Sequence, residues 1–274
     1  MVKPLLTLSK LFAVFLVGVV FSISSLSVSH ATPLYSASNS DVAATTSRNW
    51  AGYVATGSNY TVVRGTWVVP TVSSNRVGID ATWVGIGGAQ SQDLIQSGTQ
   101  ATVTRVGGIN YQAWIEMLPA ASQPIPVAIH AGDTVTVAIT ELSTNQWQIS
   151  FTDNTSGQQY QTNVQYASSL SSAEWVEEAP SGRYLVLPLD NFGTVQFSNG
   201  FAVENGNQVS IAQAGGQPET MLNVVRQPIA VPSALTSDGT GFSVTRVSTI
   251  LPLTNPSSTQ VHVRLPIRTR HPQA

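Results

Sequence analysis

The chain has 274 residues, with 9% charged, 42% hydrophobic and a formal net charge of −2. That length suits one large all-β domain or two small ones, and the charge content lies far below the ~25% of an ordinary soluble domain. The absence of cysteine excludes thiol catalysis, disulfides and thiolate metal sites, and the body has no basic patch interleaved with aromatics that would suit nucleic acid.

Residues 1–31 read as a secretory signal peptide. Lys3 and Lys10 form the charged start, Leu11 to Phe21 an apolar run too short for the ~20 residues of a membrane span, and Ser29-His30-Ala31 a small-residue cleavage site. A secreted, extracellular protein is expected, with no stable membrane association once the leader is removed. Residues 32–47 are polar and read as a linker or short propeptide.

From Asn49 onward, short β-branched and aromatic runs alternate with Gly, Pro, Asn and Ser. Strands are expected at Trp50–Val54, Tyr60–Val69, Ala81–Ile86, Ala101–Val106, Tyr111–Met117, Thr134–Thr140, Gln146–Phe151, Glu174–Val176, Thr194–Phe197 and Asn223–Val225. A further short apolar strand carries Gln96. No segment holds a helical period. The spacing predicts an all-β, antiparallel sandwich or barrel, with one domain over 48–250. Residues 251–274 hold Arg264, Arg268 and Arg270 among four prolines and no acid, and read as a basic, partly disordered tail. The stretch before it is acidic: between residues 32 and 250, seven arginines stand against fourteen Asp and Glu. Low charge of this kind suits an acidic medium.

Of four histidines only His130 lies in the body, and no Gly-x-Ser-x-Gly elbow or His-Glu-x-x-His motif accompanies it. Hydrolytic chemistry would therefore fall to carboxylates or amides. Ala173-Glu174-Trp175-Val176-Glu177-Glu178 concentrates acids in a strand-like segment. Side chains alternate across a strand, so Glu174, Val176 and Glu178 share one face, and Ala173, Trp175 and Glu177 the other. In Tyr111–Met117 the set Tyr111, Ala113, Ile115 and Met117 forms a core face, which turns Gln112, Trp114 and Glu116 outward or into a groove. Tryptophans exposed beside a carboxylate on a sheet face suggest binding. Glu177, on the opposite face, is expected to matter little.

The motifs Asn49-Trp50-x-Gly52, Thr82-Trp83-Val84-Gly85-Ile86, Gln96-Ser97-Gly98, Tyr111-x-Ala113-Trp114-x-Glu116 and Ala173-Glu174-Trp175-x-x-Glu178 occur in that order. Together they resemble the glutamic peptidases, or eqolisins, over about residues 48–250. The resemblance implies a sandwich of two curved antiparallel sheets of the concanavalin or jelly-roll kind. It also implies an acid endopeptidase acting on polypeptides without metal or cofactor. The catalytic pair falls on Gln96 and Glu178, with Trp83, Trp114 and Glu116 lining the substrate groove and Glu116 orienting the pair. Glu174, on the same face as Glu178, is added as a substrate-binding residue.

Departures from the family pattern are Gly87 and Gln112 where acids are usual, Met117 and Leu118 where aromatics are usual, and the missing disulfides. A monomer is expected. The alternative is a glycoside hydrolase or carbohydrate-binding sandwich using the same acid-aromatic groove, with Glu116 and Glu178 as its carboxylates.

Overall fold

The computed structural model describes residues 45–181 and 185–247. The expected signal peptide, most of the 32–47 segment and the 251–274 tail lie outside them.

Period-two alternation builds the strands. In Thr134–Ser143, Val135, Val137 and Ile139 point inward, and in Gln146–Asp153, Trp147, Ile149 and Phe151 do. In chain order the strands are β1 (Thr45–Ser47), β2 (Trp50–Thr56), β3 (Tyr60–Val68), β4 (Gly78–Gly87), β5 (Leu94–Val103), β6 (Ile109–Met117), β7 (Gln123–Pro124) and β8 (Thr134–Ser143). They continue as β9 (Gln146–Asp153), β10 (Gln159–Gln165), β11 (Ser172–Glu178), β12 (Thr194–Glu204), β13 (Asn207–Ser210), β14 (Gln217–Leu222), β15 (Pro228–Pro232) and β16 (Phe242–Arg246). All pair antiparallel except β1, which runs parallel to β14.

The hydrogen-bonded order is β10-β9-β8-β3-β12-β16-β15-β14-β2-β11-β4-β5-β6-β7. The run folds over so that β4 packs on β3 and β8, and β11 on β3 and β12. The result is the expected all-β sandwich, with its layers joined through β16-β15-β14. Between the layers lies the main core, containing Trp67, Trp147, Trp175, Phe151, Phe197 and Phe242. Two indoles tie the layers across it: Trp67 Nε1 donates to Thr99 Oγ1 at 3.0 Å and Trp175 Nε1 to the Arg64 carbonyl at 2.8 Å.

The β2-β11-β4-β5-β6 layer is apolar on its other face too. Trp50, Val54, Ala81, Trp83, Ala89, Leu94, Trp114, Leu118 and Val176 form a second cluster there. That is why β4 and β11 are buried along their whole length.

Three expectations need correction. Asn223–Val225 is a turn, because Asn223 Oδ1 accepts from the amides of Val225 and Gln227, and Arg226 sits at φ 62°. The Ala101–Val106 run ends at Val103 but extends back to Leu94, so Gln96 belongs to the same strand. β1, β7, β10, β13, β14, β15 and β16 went unforeseen; β10 alternates half-buried and exposed positions and is mostly polar (QYQTNVQ).

Candidate active site

β11 is a central strand between β2 and β4. Glu174, Val176 and Glu178 face the second apolar cluster, while Ala173 and Trp175 face the main core, as the alternation predicts.

Register decides which groove side chains meet. One cross-strand row runs Glu174, Gly85, Gln96, Glu116. The next runs Val176, Trp83, Gly98, Trp114, and the third Glu178, Ala81, Gln100, Gln112. Gly98 is required in the middle row: a Cβ there would come within 2.1 Å of the Thr82 carbonyl oxygen and 2.6 Å of Trp83 Cβ. Its bare backbone lets the two tryptophans flank it.

Gln96 and Glu116 are direct partners, with Gln96 Nε2 donating to Glu116 Oε2 at 2.6 Å. That bond orients the amide and leaves Gln96 Oε1 buried without a hydrogen-bond partner among the described residues. Glu178 Oε2 accepts from Trp83 Nε1 at 2.9 Å, and its Oε1 from Asn49 Nδ2 at 3.3 Å. Burial pushes the Glu178 pKa well above the usual carboxylate range and the Glu116 charge pushes it further, while the Trp83 and Asn49 donors pull it back. Trp50 stands edge-on to Trp83, with ring centroids 4.9 Å apart.

The structure thus gathers Gln96, Glu116, Glu178, Trp83 and Trp114 on one face. The tryptophans are not the exposed platforms expected: Trp83 is 0% and Trp114 2% exposed, packed in the cluster with Trp50, Leu94, Leu118 and Val176. Glu174 lies on the same face but toward other acids. It is fully buried, and its pKa is raised by burial and by the charges of Asp93 and Glu219, while the Ser172 hydroxyl within hydrogen-bonding reach pulls it back. Glu219 on β14 is likewise buried, with both oxygens unbonded among the described residues and burial pushing its pKa to about 7.

Sequence reasoning missed Asn49 as a partner of Glu178, although Asn49 opens a motif it singled out; 129 positions separate the two. It missed Glu219 entirely, which no motif flags. Glu177 lies on the opposite face, as the alternation predicts, and is fully buried there, accepting from Thr82 Oγ1 at 2.6 Å. Glu177 shares the core face with Asp80 and Asp190, and Asp80 lies within hydrogen-bonding reach of both other carboxyls. The chain reaches this arrangement because Ile79 on β4 bridges Leu189, which sets Asp80 beside Asp190. His130 is 80% exposed on a loop, its Nδ1 3.4 Å from Asp133, far from any base role in this groove.

Residues 48–246 match the model of the peptidase A4 family. The chain belongs to that family. It is 30% identical over 195 residues to aspergillopepsin-2 of Aspergillus niger, covering 61% of this chain and 68% of that one. It is 28% identical over 183 residues to scytalidopepsin B of Scytalidium lignicola, covering 62% and 69%. Among solved structures, scytalido-glutamic peptidase with a peptide-based transition-state analogue superposes with a TM-score of 0.64 at 24% identity, covering 73% of this chain and 98% of that one. Aspergilloglutamic peptidase from Aspergillus niger gives 0.55 at 22% identity, covering 62% and 99%.

This A4 peptidase is therefore a glutamic-type endopeptidase, an eqolisin, whose substrates are polypeptides. Family membership decides against the carbohydrate-directed alternative.

Proposed function

We propose that this eqolisin is a secreted acid endopeptidase in which Glu178 acts on water as general base and then general acid, and Gln96 positions the water and stabilises the oxyanion. The observation that carries this reading is the opposite fastening of the two groups on one face. Gln96 is held through its nitrogen by Glu116, with its acceptor unbonded, and Glu178 is held through both oxygens by neutral donors.

In the attacking step the Glu178 carboxylate takes a proton from water as the water oxygen bonds to the scissile carbonyl carbon. The carbonyl oxygen becomes an oxyanion, and the second Gln96 Nε2–H can donate to it. Collapse of the tetrahedral intermediate breaks the C–N bond as Glu178 returns the proton to the leaving amine. An amide does not titrate, so Gln96 keeps both roles in acid. One such donor is worth roughly 2.7–4 kcal/mol in transition-state energy. A raised pKa suits Glu178 because the group that takes the proton must also give it back in acid. Trp83 and Trp114 would bracket an extended peptide, with Glu116 and Glu174 lining the same face.

The leader over 1–31 supports export, and the domain over 48–250 would be the catalytic unit. The test is hydrolysis of denatured casein from acid to neutral pH by the wild-type chain and by Glu178→Gln. Acid-limited cleavage that disappears in the variant is expected. Cleavage that survives would remove Glu178 from the mechanism and move attention to Glu174 and Glu116.

A further inference from the structure

Just beyond Glu178 the chain turns back on itself: Leu187 N donates to the Pro180 carbonyl at 2.8 Å, and Ser181 bridges Val186. The segment that follows is clamped from two sides. On one side Ser73 bridges Asn191 and Ile79 bridges Leu189, and Gly78 comes so close that a Cβ there would lie 2.7 Å from Asp190 Cα. On the other, the Arg246 amide donates to the Gly193 carbonyl at 2.8 Å and Arg246 Nε to the Asp190 carbonyl at 2.9 Å. Off this end of β11 the surface holds a pocket of about 260 Å³. None of Gln96, Glu116, Glu178, Trp83 and Trp114 lines it.

Its walls are apolar, made by Val186, Leu187, Leu189, Leu222, Val224 and Ile229. Three arginines share it: Arg48 just before β2, Arg76 just before β4 and Arg246 at the end of β16. Arg48 and Arg76 are exposed and Arg246 is half-buried. Among the described residues, no carboxylate lies within 4.0 Å of any of the three guanidinium groups. Arg246 is fastened by neutral acceptors: besides the Nε bond, its Nη1 donates to the carbonyls of Ile229 and Val247 at 2.8 and 2.7 Å. The N–H groups of Nη2 have no partner among the described residues. The Arg76 charge bears unfavourably on Arg246. Asp190 is the acid that acts on Arg246, and with its own pKa raised to about 9 it is uncharged in acid and offers no counter-charge there. Like charges gathered over apolar walls repel one another, and an anion seated among them turns that repulsion into attraction.

We propose that this pocket binds the C-terminal carboxylate of a peptide that ends in an apolar residue, outside the catalytic groove. A guanidinium stays charged at every pH at which the protein would work, and its planar fork matches a carboxylate. The volume is below the ~300–1,000 Å³ of pockets for drug-sized ligands, so it suits a single terminal residue. Cations beside apolar walls ask for a charge and an apolar side chain on the same carbon, which a chain terminus provides and an acidic side chain does not. An endopeptidase makes one new C-terminal carboxylate at each cut, so the activity of this family supplies such ligands.

The experiment is calorimetric titration of the full chain near pH 5, where a terminal carboxylate is ionised, with N-acetyl-leucine as probe. Saturable binding in the millimolar range or tighter is expected. N-acetyl-leucinamide, which lacks the charge, should bind at least about tenfold more weakly, and N-acetylglycine, which lacks the apolar side chain, about threefold or more. R48Q and R76Q remove exposed guanidinium groups that make no hydrogen bond among the described residues, so the fold should survive. Each should weaken binding about threefold or more, and the double variant about tenfold or more. E178Q should bind the probe as the wild type does. The proposal is overturned by absence of saturable binding, by equal binding of the amide, or by binding indifferent to both arginines. Loss of binding in E178Q would place the probe in the catalytic groove and overturn it too. Tighter binding of sulfate, or of N-acetyl-glutamic acid α-amide, would make the pocket a site for inorganic anions or acidic side chains instead, and the assignment to a chain terminus would fall.

Discussion

Glu177 and Glu178 are consecutive and equally buried, yet they accept hydrogen bonds on opposite faces of one sheet from donors that are themselves consecutive. Thr82 Oγ1 serves Glu177 at 2.6 Å on the core face, and Trp83 Nε1 serves Glu178 at 2.9 Å on the groove face. Antiparallel pairing of β11 with β4 puts Glu177 opposite Thr82 and Glu178 opposite Ala81. The same two-residue alternation therefore sends Glu178 to the groove face and Glu177 to the core face beside Asp80.

Replacing Glu178 by Gln should lower kcat/KM on a peptide substrate by about a thousandfold or more, since the amide can neither take nor return a proton. Gln96→Ala should cost roughly 10²–10³-fold through the lost oxyanion donor. Both variants should keep the wild-type circular dichroism spectrum. Retention of near-normal kcat by either would exclude that residue from the proposed dyad.

Trp83→Phe keeps most of the ring in the cluster but removes the N–H donor to Glu178. That donor favours the ionised carboxylate, so its loss should raise the Glu178 pKa further. A bond to a charged acceptor is worth about 1.5–3 kcal/mol, so the pH–kcat limb governed by Glu178 should move up by about one pH unit or more. A limb that stays in place would mean that Glu178 does not control it.

Glu116→Gln should act with the opposite sign on the same limb. The Glu116 charge helps hold the Glu178 pKa up, so neutralising it should shift the limb toward lower pH. It also weakens the bond that orients Gln96, and kcat should fall about ten- to a hundredfold with a smaller change in KM. Loss confined to KM would make Glu116 a substrate contact alone.

The carboxyls of Asp80, Glu177 and Asp190 should make the fold acid-stable and less stable at neutral pH. Burial raises Asp80 to about 7, burial together with the Asp80 charge raises Asp190 to about 9, and burial with the Asp80 charge holds Glu177 well above the usual carboxylate range. A carboxyl whose folded pKa is raised binds more protons in the native than in the unfolded state, so stability falls as pH rises from its unfolded value of about 4 toward its folded value. The Tm should drop between about pH 4 and pH 8 by several degrees. Asp190→Asn should flatten that slope. Calorimetry across pH checks both, and a Tm that rises toward neutrality would contradict the sign. Glu177→Gln belongs to this experiment: it should flatten the slope of stability with pH while mattering little for cleavage.

Much of the sandwich was legible because alternation is local. Val135, Val137 and Ile139, or Trp147, Ile149 and Phe151, declare their inward face within a few residues. β10 was not legible, because its polar edge sequence has too little apolar contrast, nor were β15 and β16, short strands held between β14 and β12 by pairings with segments distant in the chain. In the groove, the division of Glu174 and Glu178 from Glu177 followed from parity alone. The depth of Trp83 and Trp114 did not, because a sheet apolar on both faces gives its polar and aromatic residues no solvent-facing side to mark.

The sequence by itself determined the all-β class, the faces of β6 and β11, the exclusion of thiol chemistry, and through its ordered motifs the peptidase family. Only the tertiary structure decided that Asn49 meets Glu178, that Gln96 meets Glu116, that Asp80 meets Asp190, and that Glu174 and Glu219 are buried on either side of β2. The reason is physical: a strand's face follows from its own two-residue period, but its neighbours and register follow from pairings between segments far apart in the chain.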